Sequence, residues 1–67
     1  MEGLGEKLQD LRKEKGLTQV EMAKMVNLDK STIAKYETNK CVPSFEMAIM
    51  LAKFFNVSLN YLAGLED

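Results

Sequence analysis

Four residues suited to the left-handed backbone conformation divide this 67-residue chain into short segments. Glycine commonly closes a helix in this conformation, and asparagine adopts it with little strain. The segments are long enough for helices of about two to four turns. No stretch alternates apolar and polar residues for long enough to indicate a sheet. The fold class is therefore predicted to be all-α, with helices that end at Gly16, Asn27, Asn39 and Asn56.

Helix start signals precede four of the five predicted helices. Thr18 and Glu21 have the spacing of a capping box, in which each side chain accepts a backbone amide proton of the other residue. Asp29, Ser44 and Ser58 are favoured N-cap residues. We predict helices over residues 4–15, 18–25, 29–37, 44–55 and 58–63.

Apolar residues at helical spacing predict which side of each helix faces the core. In helix 1 these residues are Leu4, Leu8 and Leu11. In the later helices, the residues predicted to face the core are Val20, Met22, Ala23, Met25, Val26, Ile33, Tyr36, Phe45, Ala48, Leu51, Ala52, Phe55, Leu59 and Leu62.

The net charge of −1 is unevenly distributed along the chain. Residues 12–40 hold seven basic and four acidic residues, a balance of +3, whereas the rest hold two basic and six acidic residues, a balance of −4. A basic segment is typical of a nucleic-acid footprint. A uniformly solvated surface is the alternative explanation.

Composition argues against several function classes. The single cysteine, Cys41, and the lack of histidine exclude an internal disulfide framework and make a metal site of the usual kind improbable. No apolar run approaches the ~20 residues of a membrane helix, and the N-terminus lacks the pattern of a signal peptide. There is no glycine-rich phosphate loop and no acid–base pair with a pocket. We expect a cytoplasmic protein that is not an enzyme and that carries no metal or cofactor.

The pair of helices at 18–25 and 29–37 is the feature most informative about function. Only Val26, Asn27 and Leu28 separate them. So tight a turn makes the helices cross steeply, and the second can then project into a major groove of DNA. Its polar residues lie largely opposite Ile33 and Tyr36, and they occupy the half of the helix that would meet base edges.

Residues 18–43, TQVEMAKMVNLDKSTIAKYETNKCVP, resemble the Cro and phage-repressor type of helix-turn-helix, also called the XRE family. The resemblance covers about residues 4–64. It implies a five-helix, lambda-repressor-like bundle that binds operator DNA, usually as a dimer. The family commonly has glycine at two positions where this chain has asparagine. The matching elements are Thr18-Gln19, Ala23, Ser31-Thr32-Ile33, Tyr36-Glu37, Pro43-Ser44 and Asn56-Val57-Ser58-Leu59.

The resemblance also implies roles for individual residues. It implies that base edges are read by Lys30, Ser31, Thr32 and Lys35, and that DNA phosphates are contacted by Gln19, Asn39 and Lys40. Arg12 is expected to pair with Glu37, and a bidentate contact of this type would tie helix 1 to the end of helix 3.

A second apolar stripe lies on helix 4, rotated away from the first. Met47, Met50 and Phe54 share this stripe at positions i, i+3 and i+7. A small core cannot readily bury both faces of one helix, and an exposed apolar stripe usually marks a partner surface. We hypothesise a homodimer contact made by these residues with Tyr61 or Leu65. The alternative is that helix 4 is central in the bundle and buried on most sides.

Together these observations predict a prokaryotic or phage transcription regulator, a repressor, that binds a specific site in double-stranded DNA. The alternative is an antitoxin or antirepressor of the same fold, whose main partner is another protein.

Overall fold

The computed structural model describes residues 3–65, which form five α-helices and contain no strand. Each helix begins and ends within one residue of its predicted bounds. No helix in this described part is long and apolar enough to cross a membrane. The helices are α1 (Leu4–Glu14), α2 (Gln19–Met25), α3 (Lys30–Glu37), α4 (Phe45–Phe55) and α5 (Leu59–Leu62).

The predicted start signals operate in three of the four helices that carry one. The capping box of α2 is complete, because Thr18 Oγ1 accepts from the Glu21 amide at 3.1 Å and Glu21 Oε1 accepts from the Thr18 amide at 2.8 Å. The hydroxyl groups of Ser44 and Ser58 cap α4 and α5.

Asp29 is the exception among these caps. It lies at the N-cap position of α3, but its side chain makes no cap hydrogen bond, so the prediction of a side-chain cap was wrong. The reason is local. The Thr32 amide, which such a cap would use, donates instead to the backbone carbonyl of Asp29 at 3.0 Å.

All five helices end at a residue with positive φ, four of them at the predicted positions. The amide of the next residue then donates to the carbonyl five positions earlier, at 2.8–3.1 Å, which satisfies carbonyls that a helix end leaves unpaired. The five residues, with φ between 55° and 81°, are Gly16, Asn27, Asn39, Asn56 and Gly64.

The core lies where α1, α2, α3, α4 and α5 meet. Its buried apolar residues are Leu4, Leu8, Met22, Ala23, Ile33, Leu51, Ala52, Phe55 and Leu62. Three residues predicted to face inward are instead exposed: Val20 by 44%, Met25 by 61% and Phe45 by 69%. Each lies at or next to an end of its helix, where neighbouring helices no longer cover the side that the periodicity marks as inner.

Candidate nucleic-acid interface

Helix α3 presents two different sides. Its inner side holds Ile33 and Glu37, which are buried, because α3 packs against both α1 and α2. On its outer side Ser31 and Lys35 are exposed, and Lys30 is exposed at the first position of the helix. Two further outer residues, Thr32 and Ala34, are half-buried. The structure thus brings three of the four predicted base-reading residues to open surface and leaves Thr32 partly covered.

A bidentate ion pair holds the C-terminal end of α3 to α1. Arg12 Nε donates to Glu37 Oε2 at 2.6 Å, and Arg12 Nη2 donates to Glu37 Oε1 at 3.1 Å. The remaining Nη1 group donates to the carbonyl of Leu17 at 2.7 Å. The pairing expected from the sequence is therefore present. The hydrogen bond that Arg12 donates to Glu37 raises the pKa of Arg12 despite its burial, so the guanidinium stays charged.

Glu37 also reaches the first residue of α2. Gln19 Nε2 donates to Glu37 Oε1 at 3.1 Å, so a single carboxylate connects α1, α2 and α3. Gln19 is half-buried, and a phosphate contact would use the second hydrogen of its side-chain amide. That contact remains a prediction, but the link to Glu37 explains how the Gln19 side chain is oriented.

The two other residues predicted to contact phosphate differ from each other. Lys40 is exposed, and within residues 3–65 its one hydrogen bond runs from its backbone amide to the Lys35 carbonyl at 2.9 Å. The Asn39 side chain is occupied at both ends, because Oδ1 accepts from the Gly5 amide at 3.0 Å and Nδ2 donates to Glu6 Oε1 at 2.6 Å. A phosphate contact through Nδ2 would have to compete with Glu6.

The link between Asn39 and α1 is a contact that the sequence did not predict. A Cβ atom on Gly5 would lie 2.5 Å from the Glu37 carbonyl oxygen and 2.8 Å from that of Tyr36, so only glycine fits there. The one available signal was a glycine beside the leucine side of helix 1. Such a signal does not identify its distant partner.

Exposed cations lie at the start of α3, near its end and in the loop after it. Lys30, Lys35 and Lys40 are exposed, and within residues 3–65 the one ion pair is that of Arg12 with Glu37. The carboxylate of Glu37 is neutralised by that pair. Two exposed acids lie next to this surface: Asp29 is adjacent in sequence to Lys30, and Glu6 accepts from Asn39. The outer side of α3 and the loop after it therefore offer cationic donors to an anionic partner.

The second stripe on α4 is partly covered by its own chain. Met47, Met50 and Phe54 are half-buried and pack against the core. Lys15 Nζ lies 5.2 Å from the centroid of the Phe54 ring, a cation–π contact from the residue that follows α1.

The two other residues predicted for this contact, Tyr61 and Leu65, differ in exposure. Tyr61 is half-buried, and Lys7 Nζ lies 4.8 Å from its ring centroid and donates to its carbonyl oxygen at 2.9 Å. Leu65 is 76% exposed. The stripe is thus less open than the sequence suggested, and its role in a homodimer stays a prediction.

The chain is similar to several curated transcription regulators. It is 37% identical over 62 residues to the HTH-type transcriptional activator BcrR of Enterococcus faecalis, covering 92% of this chain and 30% of BcrR. It is 36% identical over 61 residues to an uncharacterized HTH-type transcriptional regulator of Methanocaldococcus jannaschii, covering 91% of this chain and 92% of that protein. It is also 31% identical over 61 residues to antitoxin PezA of Streptococcus pneumoniae, covering 91% and 39%.

These relatives differ in length: the chain spans 30% of BcrR and 39% of PezA, and about half of two HTH-type regulators of Bacillus subtilis. No solved structure matches the chain. A family described as "Helix-turn-helix" matches residues 8–62, which include α2, α3 and most of the core. BcrR and the Methanocaldococcus protein are named as transcription regulators, and PezA is named as an antitoxin. The chain therefore belongs to the XRE-type helix-turn-helix family of DNA-binding transcription regulators.

Proposed function

We propose that this chain binds a specific site in duplex DNA through α3 and represses transcription by occupying that site. Lys30, Ser31 and Lys35 read base edges in the major groove, with Thr32 at the margin of this surface. Gln19 and Lys40 contact phosphates on either side of it. The regulator acts in the cytoplasm, where prokaryotic DNA lies.

The observation that carries this proposal is the division of α3 into a fixed inner side and an open outer side. The inner side is held by Ile33 in the core and by the ion pair of Glu37 with Arg12. Lysine and serine on the outer side have the donors and acceptors that base edges can pair with, and a lysine at the helix end suits phosphate.

Selection of a bound site from random duplex DNA, followed by fluorescence anisotropy titration, tests the proposal. Lys35→Ala is expected to cost about 1–3 kcal/mol of binding free energy and to relax the preference at one base pair. Lys40→Ala should weaken all sequences alike and reduce the salt dependence of binding by about one phosphate contact.

Lys13→Ala is the matched control, since Lys13 is exposed on α1 and lies opposite Leu4 and Leu8 on the helical period. It should bind the selected site like the parent. If neither Lys35→Ala nor Lys40→Ala differs from this control, the proposed docking of α3 is wrong.

The regulator is proposed to bind as a homodimer. Two copies of α3 would then enter successive major grooves about 34 Å apart. The dimer contact is assigned to the end of the chain and the exposed edge of the α4 stripe, which comprise Met47, Met50, Phe54, Tyr61 and Leu65. One copy has few lysines for DNA. A dimer would therefore bind DNA more tightly, because two copies double the number of phosphate contacts.

Leu65→Glu tests the dimer with little risk to the fold, since Leu65 is 76% exposed. Sedimentation velocity should show a dimer for the parent and a monomer for this variant. Phe45→Glu is the matched control, because Phe45 is equally apolar and 69% exposed at the start of α4. A parent that stays monomeric at high concentration, or equal effects of both variants, would rule out this contact.

A second candidate function is that of an antitoxin-type protein that binds a protein partner. The similarity to PezA, which is named an antitoxin, favours it. The parent's affinity for its selected DNA site at two salt concentrations separates the two functions. Binding that is weak and nearly independent of salt would favour the protein partner over DNA.

A further inference from the structure

The C-terminal end of α3 is held differently from the C-terminal ends of α1, α2 and α4. At such an end, the residue after the left-handed one usually makes an apolar contact. Leu17, Leu28 and Val57 do so, because each is half-buried and packs against the core. At α3 the same position is Lys40, which is exposed. The usual apolar attachment is therefore missing at this end.

The N-terminal end of α1 has a complementary gap. A helix begins with backbone amides that need an acceptor outside the helix. The N-cap residue of α1 is Gly3, which has no side chain to supply one. The acceptor comes from another helix end instead, because the Gly5 amide donates to Asn39 Oδ1 at 3.0 Å.

The other end of the Asn39 amide completes the connection. Nδ2 donates to Glu6 Oε1 at 2.6 Å, so the Asn39 side chain hydrogen-bonds to two successive residues in the first turn of α1, Gly5 and Glu6. The close approach depends on Gly5, whose missing Cβ would otherwise lie 2.8 Å from Asn39 Oδ1. Both gaps are thus closed by one side chain.

We propose that Asn39 is a positioning residue for DNA binding and not itself a phosphate contact. It caps α1 from the end of α3, and it thereby fixes the backbone from which Lys40 projects. Its effect on DNA affinity rests on the proposed function, whereas its effect on α1 rests on the fold alone.

Asn27 provides a matched control within the same chain. Asn27 and Asn39 both end a helix with positive φ, 58° and 62°, and glycine adopts this conformation readily. In residues 3–65 Asn27 hydrogen-bonds through its backbone amide, to the Lys24 carbonyl. Replacement by glycine therefore preserves the turn at both positions, and it removes a connection to another helix only at Asn39.

The first experiment compares Asn39→Gly with Asn27→Gly. Asn39→Gly is expected to lower Tm by roughly 5 °C, and Asn27→Gly to change it by less than about 2 °C. Hydrogen exchange at the Gly5 amide should become about tenfold faster in Asn39→Gly alone. Equal Tm values and unchanged Gly5 exchange in the two variants would overturn the proposal.

The second experiment separates positioning from phosphate contact by exchanging the carboxylate and the amide. Asn39→Asp places two carboxylates together and should weaken binding of the selected DNA site by roughly three- to tenfold. Adding Glu6→Gln again pairs a side-chain amide, now at position 6, with a carboxylate, now at position 39. The net charge returns to that of the parent. Positioning predicts that the double variant recovers the parent's affinity to within about threefold.

A direct phosphate contact predicts the opposite result for the double variant, because the carboxylate at position 39 would repel the phosphate. Continued weak binding by the double variant would therefore overturn the proposal. A parent without salt-dependent DNA binding would refute the proposed function instead. The Tm and Gly5 exchange measurements need no DNA, so they test the cap on α1 in either case.

Discussion

The half of the molecule formed by α1, α2 and α3 is held together differently from the half formed by α4 and α5. In the first half, side-chain hydrogen bonds cross between helices: Arg12 and Gln19 both bond Glu37, and Asn39 bonds the start of α1. In the second half, the hydroxyl groups of Ser44 and Ser58 cap α4 and α5. The buried residues of these two helices are apolar.

This difference between the halves matches the surface that each half exposes to a partner. The outer side of α3 carries polar side chains whose positions matter to within a fraction of an ångström for recognition. Directional hydrogen bonds at both ends of the helix-turn-helix limit its movement. Apolar packing between α4 and α5 is less directional and tolerates changes of shape that keep volume. Stability in the first half should therefore depend on individual polar atoms.

The largest expected effect comes from removing one partner of the ion pair. Arg12→Met leaves the Glu37 carboxylate, whose side chain is 2% exposed, without its cation. Loss of one partner of a buried pair costs about 3–5 kcal/mol of the free energy of unfolding. Urea denaturation followed by circular dichroism measures this change.

Leu51→Met is the matched substitution in the other half, because Leu51 is fully buried and the volume is nearly kept. It should cost less than about 1.5 kcal/mol. The double variant Arg12→Met/Glu37→Leu should recover much of the loss, since both charges are then gone. Similar losses for Arg12→Met and Leu51→Met would break the contrast between the halves.

A smaller effect is expected where α1 approaches the end of α3. Gly5→Ala adds a Cβ that would lie 2.5 Å from the backbone oxygen of Glu37, so the helices must move apart. Such overpacking costs about 1–3 kcal/mol of the free energy of unfolding, against a gain in helix propensity of about 1 kcal/mol. The same denaturation experiment on Asp10→Ala, an exposed position of α1, should show a change within about 0.5 kcal/mol. A Gly5→Ala variant more stable than the parent would refute the close contact.

The smallest effect concerns the capping box of α2. Hydrogen bonds from the Thr18 backbone amide and side chain lower the pKa of Glu21 below its ordinary value. A lowered pKa in the folded state adds stability above the unfolded pKa, about 4.3, and this stability is lost as the pH falls through the folded pKa. The stability difference between the parent and Glu21→Gln should therefore shrink below about pH 4. A difference that is constant between pH 7 and pH 3 would contradict this assignment.

Much of the fold could be predicted because its signals are local. A left-handed residue such as Asn27 or Asn56 and a cap such as Ser44 act within one helical turn of their position. Helix bounds therefore follow from short stretches of sequence. The same reasoning failed for Phe45, since the first turn of a helix is covered or left open by elements distant in the chain.

The connections of the candidate site were harder to predict for the same reason. The pairing of Arg12 with Glu37 came from the family resemblance, not from any local pattern. The bonds from Asn39 to Gly5 and from Gln19 to Glu37 span 34 and 18 positions, and the amide side chains could equally well have faced solvent. Their positions on the helices were predictable, but their partners required the arrangement of all three helices.

The two sides of α3 have a consequence for protein engineering. Within residues 3–65, the side-chain hydrogen bonds that tie this helix to its neighbours are all accepted by Glu37, and Lys30, Ser31 and Lys35 contribute none. These three positions can thus be varied together in a library while the scaffold keeps its folding determinants. New binding preferences selected from such a library would be obtained without a compensating redesign of the rest of the molecule.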